Sequence, residues 1–364
     1  MLTAPPAFDC QLLSEPVRPL FTQPLEVAQL ALRAFARKAG NEALANDVSI
    51  QYATESCFDA YAFSPAGKHC VVMSSAAPAL LQAVFFDVVR STNPFSSRAD
   101  EASDGGVEPG DFRVPLALPD AGSTANDMAA AIDKLMRDAV PDEKWQRILG
   151  VALGELATVF LFAHELGHVV RGHTRLLADL RATRLAEISF DRNGPPGRVA
   201  RAWELQADQT AFAFLWSYAI NTQRQRTRFL RQLKCTGAEP ILELLGRLCY
   251  AVSFVFFLIA QGQSRVQSTG SHPSPLVRIT FLLALAETVM EAQHPHLVDQ
   301  VHDCVTRAHD FAEAAWNRLG LEFGVRGFRD HIEDLPLATS TAQRHLDRTG
   351  RWLGRHAWAF PGRS

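Results

Sequence analysis

The sequence predicts an α+β protein in which helices far outweigh one small sheet, and three observations lead there. Alternating, strand-like segments are confined to residues 48–73. A stretch rich in Ser, Gly, Pro and Asp follows at residues 91–126, and nearly everything from Met128 onward has helical periodicity. With 364 residues, 47% apolar and 21% charged, the chain can bury a full core as one large domain or two.

Taken in order, residues 24–46 (Pro24-Leu-Glu-Val-Ala onward) repeat apolar positions at helical spacing and predict a first helix. Val48-Ser-Ile-Gln-Tyr-Ala53 alternates as a strand does, Phe58 to Phe63 does so more weakly, and Cys70 to Met73 follows the turn Pro65-Ala-Gly-Lys68. Ser75 stands where an N-cap belongs, Pro78 suits a first turn, and Leu80 to Val89 reads as the helix they start. Residues 91–126 carry Asp100, Glu101, Asp104, Glu108 and Asp111, so a long loop is expected, either a lid over a site or a solvated insertion. Helices follow at Trp145–Arg171 and His173–Ile188, ended by the turn Asn193-Gly-Pro-Pro-Gly197, then at Arg201–Tyr218 and over 237–261, 276–292 and 296–319. The division is an N-terminal helix and sheet (1–90), the loop (91–127), a helical core (128–292) and a C-terminal helical extension (293–364).

Composition removes several function classes. The formal charge is -3 and no basic run is sustained, although 31 of the 36 basic residues are Arg, so no nucleic-acid partner is expected. Six widely spaced cysteines without a Cys-x-x-Cys pair argue for reduced core thiols rather than disulfides or a thiolate metal site. The first ten residues lack the features of a secretory signal, and the apolar run Leu248 to Ala260 is shorter than the ~20 residues of a bilayer span. A cytoplasmic protein without transmembrane segments is expected. The Arg- and Trp-rich tail from Ala342 to Ser364 either packs on its own domain or docks on a membrane surface or a partner.

Chemistry concentrates in two short motifs. His164-Glu165-Leu166-Gly167-His168 lies in an apolar helical run, and Glu204-Leu205-Gln206-Ala207-Asp208 begins thirty-six residues after His168. Residues four apart share a helix face, so His164 and His168 can aim two imidazoles at one metal ion. Glu204 can add a carboxylate ligand, and Asp208, one turn further, can brace a histidine from behind. Two His and one Glu leave the fourth position of a zinc ion to water, as hydrolytic sites do. Glu165 is then placed as the general base that takes a proton from that water. The bland alternative is a pair of satisfied core histidines, but burying two His and three carboxylates together without a cation is costly. An astacin-like site is excluded, because Arg171 and Thr174 occupy its glycine and third-histidine positions. His173, five residues past His168, falls off the ligand face of a continuous helix and reads as a helix-end histidine able to hydrogen-bond near the site.

The run His164-Glu-Leu-Gly-His-Val-Val-Arg-Gly-His173, then Glu204-Leu-Gln-Ala-Asp208, then Ser271-His272-Pro273-Ser-Pro-Leu-Val-Arg278-Ile279 resembles the gluzincin metallopeptidases of the HtpX-like and CAAX prenyl endopeptidase family. The resemblance covers about residues 150–290. It implies a zincin-like fold, zinc on His164, His168 and Glu204, Glu165 as catalytic base, and His272 or Arg278 facing the cleft to steady an oxyanion. The transmembrane helices of well-known members find no counterpart in this sequence, so their membrane substrates do not carry over. The leading expectation is a soluble zinc endopeptidase that lays a protein or peptide substrate along an edge strand near Cys70 to Met73. A dedicated protease with a single intracellular target, as the phage-exclusion peptidase Lit is, stands second. A regulatory protein with a structural zinc site stands third.

Overall fold

The computed structural model describes residues 5–65, 67–91, 117–118, 124–179, 195–265, 273 and 275–319, with five single positions beyond residue 339. Helices dominate the described residues: α1 (Pro19–Lys38), α2 (Ala76–Ser91), α3 (Ala125–Ala139), α4 (Lys144–Val170), α5 (His173–Asp179), α6 (Pro195–Ile220), α7 (Gln223–Gln232), α8 (Pro240–Arg265), α9 (Pro275–Gln293) and α10 (Val298–Arg318). Between α1 and α2 lies the sheet of β1 (Val48–Ala53), β2 (Ala60–Phe63) and β3 (His69–Ser74). The expected α+β, mostly α architecture is what forms.

The first helix begins five residues earlier than its periodicity predicts, and a short 3-10 turn, Glu42–Asp47, replaces its expected last stretch. Ser74, not Ser75, starts α2: its hydroxyl accepts the N–H of Ala77 at 3.1 Å, and Pro78 sits in the first turn as expected. The loop ends sooner than residue 126, because Thr124 and Asp127 form a reciprocal capping box that opens α3. Pro195, Pro196 and Gly197, expected in a turn, lie within the start of α6. Proline tolerates a first helical turn, where its missing N–H has no partner to lose. Of the expected lid, only Ala117, Leu118 and the two ends are described; Ala117 bridges to Cys57, and the Leu118 N–H donates to the Ser56 carbonyl. Helix α5 is described only to Asp179, and the Arg- and Trp-rich tail lies almost wholly outside the described residues.

The sheet order is β1-β3-β2, with β1 parallel and β2 antiparallel to β3. Cys70–Met73 is therefore the central strand, hydrogen-bonded on both sides, and not the edge expected from the sequence. All six residues of β3 are buried, which suits a strand covered on both faces.

Helix α4 is the axis of the molecule. Every residue from Ala152 to Val170 is buried, and the helix packs against α6, α2, α1, α8 and strands β2 and β3. A helix apolar on all sides has no face to offer water, so its neighbours must surround it. One continuous apolar cluster runs from Phe8 through α4 and α8 to Leu319. By length and composition α4 and Pro240–Ile259 of α8 are each apolar enough to cross a membrane, but 89% and 83% of their most apolar windows are buried inside the fold. Five of the six cysteines are buried free thiols; Cys57 departs from the expectation and is exposed.

Candidate metal centre

Helices α4 and α6 cross where both have small residues. An added Cβ at Gly167 would stand 3.0 Å from the Ala207 Cα and 3.1 Å from the Ala207 carbonyl oxygen. That close approach lets Glu204 and Asp208 on α6 reach the histidines of α4. Gly167→Ala pushes on backbone that cannot swing aside, so the helices must separate. We expect this variant to lose about 1–3 kcal/mol of stability, the usual cost of overpacking, and to bind metal more weakly. Urea unfolding and a metal titration check both; wild-type affinity would show that the crossing distance does not set the site.

His164, His168 and Glu204, all buried, form a compact ligand set. Nε2 of His164 and Nε2 of His168 are 3.2 Å apart, and the Glu204 carboxylate oxygens lie 3.3 Å from the first and 3.4 Å from the second. The two carboxylate contacts come from different oxygens, Oε2 toward His164 and Oε1 toward His168, so Glu204 straddles the histidine pair and the three side chains could hold one metal ion. Glu165, also buried, has its carboxylate 4.0 Å from His164 Nε2, beside that triangle.

Behind the triangle each histidine is held. Asp208 accepts from His164 Nδ1 at 2.8 Å, the bracing position expected of it. Burial alone would lower the His164 ring, but Asp208 and Glu204 outweigh it and lift it to about 10. Without a metal, then, these carboxylates keep a proton on His164; a cation satisfies the same demand. Burial pushes the Asp208 carboxyl up, yet Arg278 and His164 hold it below the ordinary carboxylate range.

Arg278 donates from Nε and Nη2 to the two oxygens of Asp208 at 2.8 and 2.6 Å, and its guanidinium lies 4.4 Å over the Phe256 ring. It is 2% exposed. The sequence resemblance places it at the open cleft, whereas the structure places it behind His164 as the counter-charge of Asp208. His173 lies off the ligand face and hydrogen-bonds near the site, as expected, but deeper in the fold than a helix end implies. Gly172 adopts φ +83, a conformation costly for residues with a Cβ, and this turn after α4 folds His173 back onto His168. It is fully buried, 2.9 Å from His168 Nδ1, and burial lowers its ring to about 3. It opens α5 directly after α4 ends, with its ring behind His168. Gln206, in the second motif but given no role from sequence, is 2.9 Å from His173 Nε2. His272 lies outside the described residues, while the neighbouring Pro273 is buried.

No known family model matches the chain, and no curated protein or solved structure gives a significant match.

Proposed function

We propose that this protein is a zinc-dependent endopeptidase of the gluzincin type with a zincin-like fold. The observation that carries the reading is the buried cluster in which His164 and His168 Nε2 stand 3.2 Å apart, the two Glu204 oxygens lie 3.3 and 3.4 Å from them, and the Glu165 carboxylate is beside the pair. Three protein ligands leave a fourth position, the pattern of hydrolytic rather than structural zinc. The family resemblance of the three motifs supports the same assignment. A zinc ion held there supplies Lewis acidity and makes an attacking water acidic near neutral pH.

Within this reading Glu165 takes the proton of the attacking water and returns it to the departing amine nitrogen. Asp208 and Arg278 keep the His164 ring aimed. A substrate chain in extended form pairs with an open sheet edge, and β2 is the edge strand that packs against both α4 and α5. With both apolar helices buried inside the fold, we take the enzyme to be water-soluble and to act on protein or peptide in the cytoplasm.

The test is metal analysis of the purified chain followed by digestion of an unstructured peptide library. One zinc per chain, cleavage lost with a chelator and restored by zinc, is the expected result. A single narrow cleavage motif would mark the dedicated single-target form of this enzyme. Zinc-loaded protein that cuts neither the library nor unfolded proteins would overturn the peptidase reading and leave a structural centre.

A further inference from the structure

The hydrogen-bond chain behind His168 has a direction. Nδ1 of His168 meets Nδ1 of His173 at 2.9 Å, and Nε2 of His173 meets the Gln206 side-chain oxygen at 2.9 Å. A neutral imidazole donates from one nitrogen and accepts at the other, while an amide oxygen only accepts. His173 Nε2 must therefore carry the proton, His173 Nδ1 must accept, and His168 Nδ1 must donate. This leaves a lone pair on His168 Nε2, the nitrogen at the ligand triangle, 3.2 Å from His164 Nε2.

Turning the Gln206 amide over reverses every step. Its NH2 would donate to His173 Nε2, His173 Nδ1–H would donate to His168 Nδ1, and His168 would present an N–H to the centre. An N–H cannot bind a cation. The other ligand histidine has no such freedom, since Asp208, ionised against Arg278, can only accept from His164 Nδ1. The relay itself is firmly seated. His173 stacks on Trp203 with ring centroids 5.0 Å apart and planes 10° from parallel, and the turn at Gly172 fixes where its ring enters.

We propose that His173 and Gln206 are positioning residues that set the tautomer of His168, with the orientation of the Gln206 amide deciding whether this histidine can take the metal. The inference rests on the zinc centre proposed above. It identifies a control point on α6, outside the His-Glu-x-x-His motif, where one amide flip trades metal-competent and metal-incompetent forms.

The experiment is a zinc competition titration of the full chain, with visible spectra of the cobalt-loaded protein, on wild type and three variants. His173→Phe keeps an aromatic ring on Trp203 and removes both nitrogens. Gln206→Met keeps the length and removes the acceptor at a half-buried position, so it tests the relay even if the histidine variant folds poorly. Gln206→Glu restores an oxygen that can only accept. Zinc affinity should fall by roughly 10–100-fold in the first two, the usual effect of losing an outer partner of a ligand histidine, and recover in Gln206→Glu. The cobalt bands should shift and return in the same pattern. Wild-type affinity and bands in both His173→Phe and Gln206→Met would overturn the relay and leave the metal centre standing. Equal weakening in Gln206→Met and Gln206→Glu would overturn it too, and a wild-type chain that takes up no zinc would remove centre and relay together.

Discussion

Glu165→Gln is expected to abolish peptide cleavage while zinc stays bound. The two side chains are nearly the same size, and Glu165 is not one of the three ligand residues, so the triangle of His164, His168 and Glu204 should survive the change. An amide cannot accept the proton of the attacking water. Losing a positioned proton-transfer group costs about 10²–10⁴-fold in rate. The check is turnover of a peptide that wild type cuts, measured alongside zinc content. Full turnover by the zinc-loaded Glu165→Gln variant would refute Glu165 as the base and, with it, the gluzincin mechanism.

The second large effect is expected from Arg278→Met. The guanidinium holds both Asp208 oxygens, and both side chains are 2% exposed. Removing the guanidinium leaves the buried carboxylate, close to Glu204, with His164 as its remaining partner, at a cost of up to about 3–5 kcal/mol. Asp208 then keeps only His164 to hold its carboxyl low, and burial pushes it toward the protonated form. A protonated Asp208 no longer fixes the His164 tautomer, so zinc affinity falls as well. Adding Asp208→Asn to Arg278→Met should recover part of the lost stability, because the stranded charge is gone. Urea unfolding of the metal-free chains and zinc competition measure both effects. Unchanged stability and zinc affinity with a defect only in kcat would instead make Arg278 an oxyanion contact, as the sequence resemblance implies.

Periodicity carries the main elements because each is long and strongly patterned. The helix that carries His164 and His168, expected over Trp145–Arg171, runs Lys144–Val170, and Val48–Ala53 is a strand to the residue. The strand order is less accessible, although a cue is present: Cys70-Val-Val-Met73 is an unbroken apolar run, which suits a strand covered on both faces better than an edge. The ligand triangle and the Asp208 brace are legible because one-turn spacing fixes them within two helices. Spacing puts His173 off the ligand face but not against His168, because that contact depends on the turn at Gly172. Arg278 meets Asp208 across seventy residues of sequence, a pairing that no local spacing encodes. Gln206 escapes notice for another reason: its contact runs from α6 to α5, whose place is set by the turn at Gly172 and by the hydrogen bonds of Thr174 and Arg175 to His69.

The Arg278 contact also bears on the order in which the chain becomes a finished protein. The ligands on α4 and α6 are synthesised before α9, so the two helices can pair while the Asp208 counter-charge is still to be made. The cluster at that stage has one positive charge fewer than the mature one, so by Coulomb's law it would attract any divalent ion more strongly. Docking of α9 brings in the guanidinium and confines that charge to a fixed hydrogen-bonded fork. The counter-charge of Asp208 is thus a property of the completed helical half, and a chain shortened ahead of α9 has His164, His168 and Glu204 without the cation that holds Asp208.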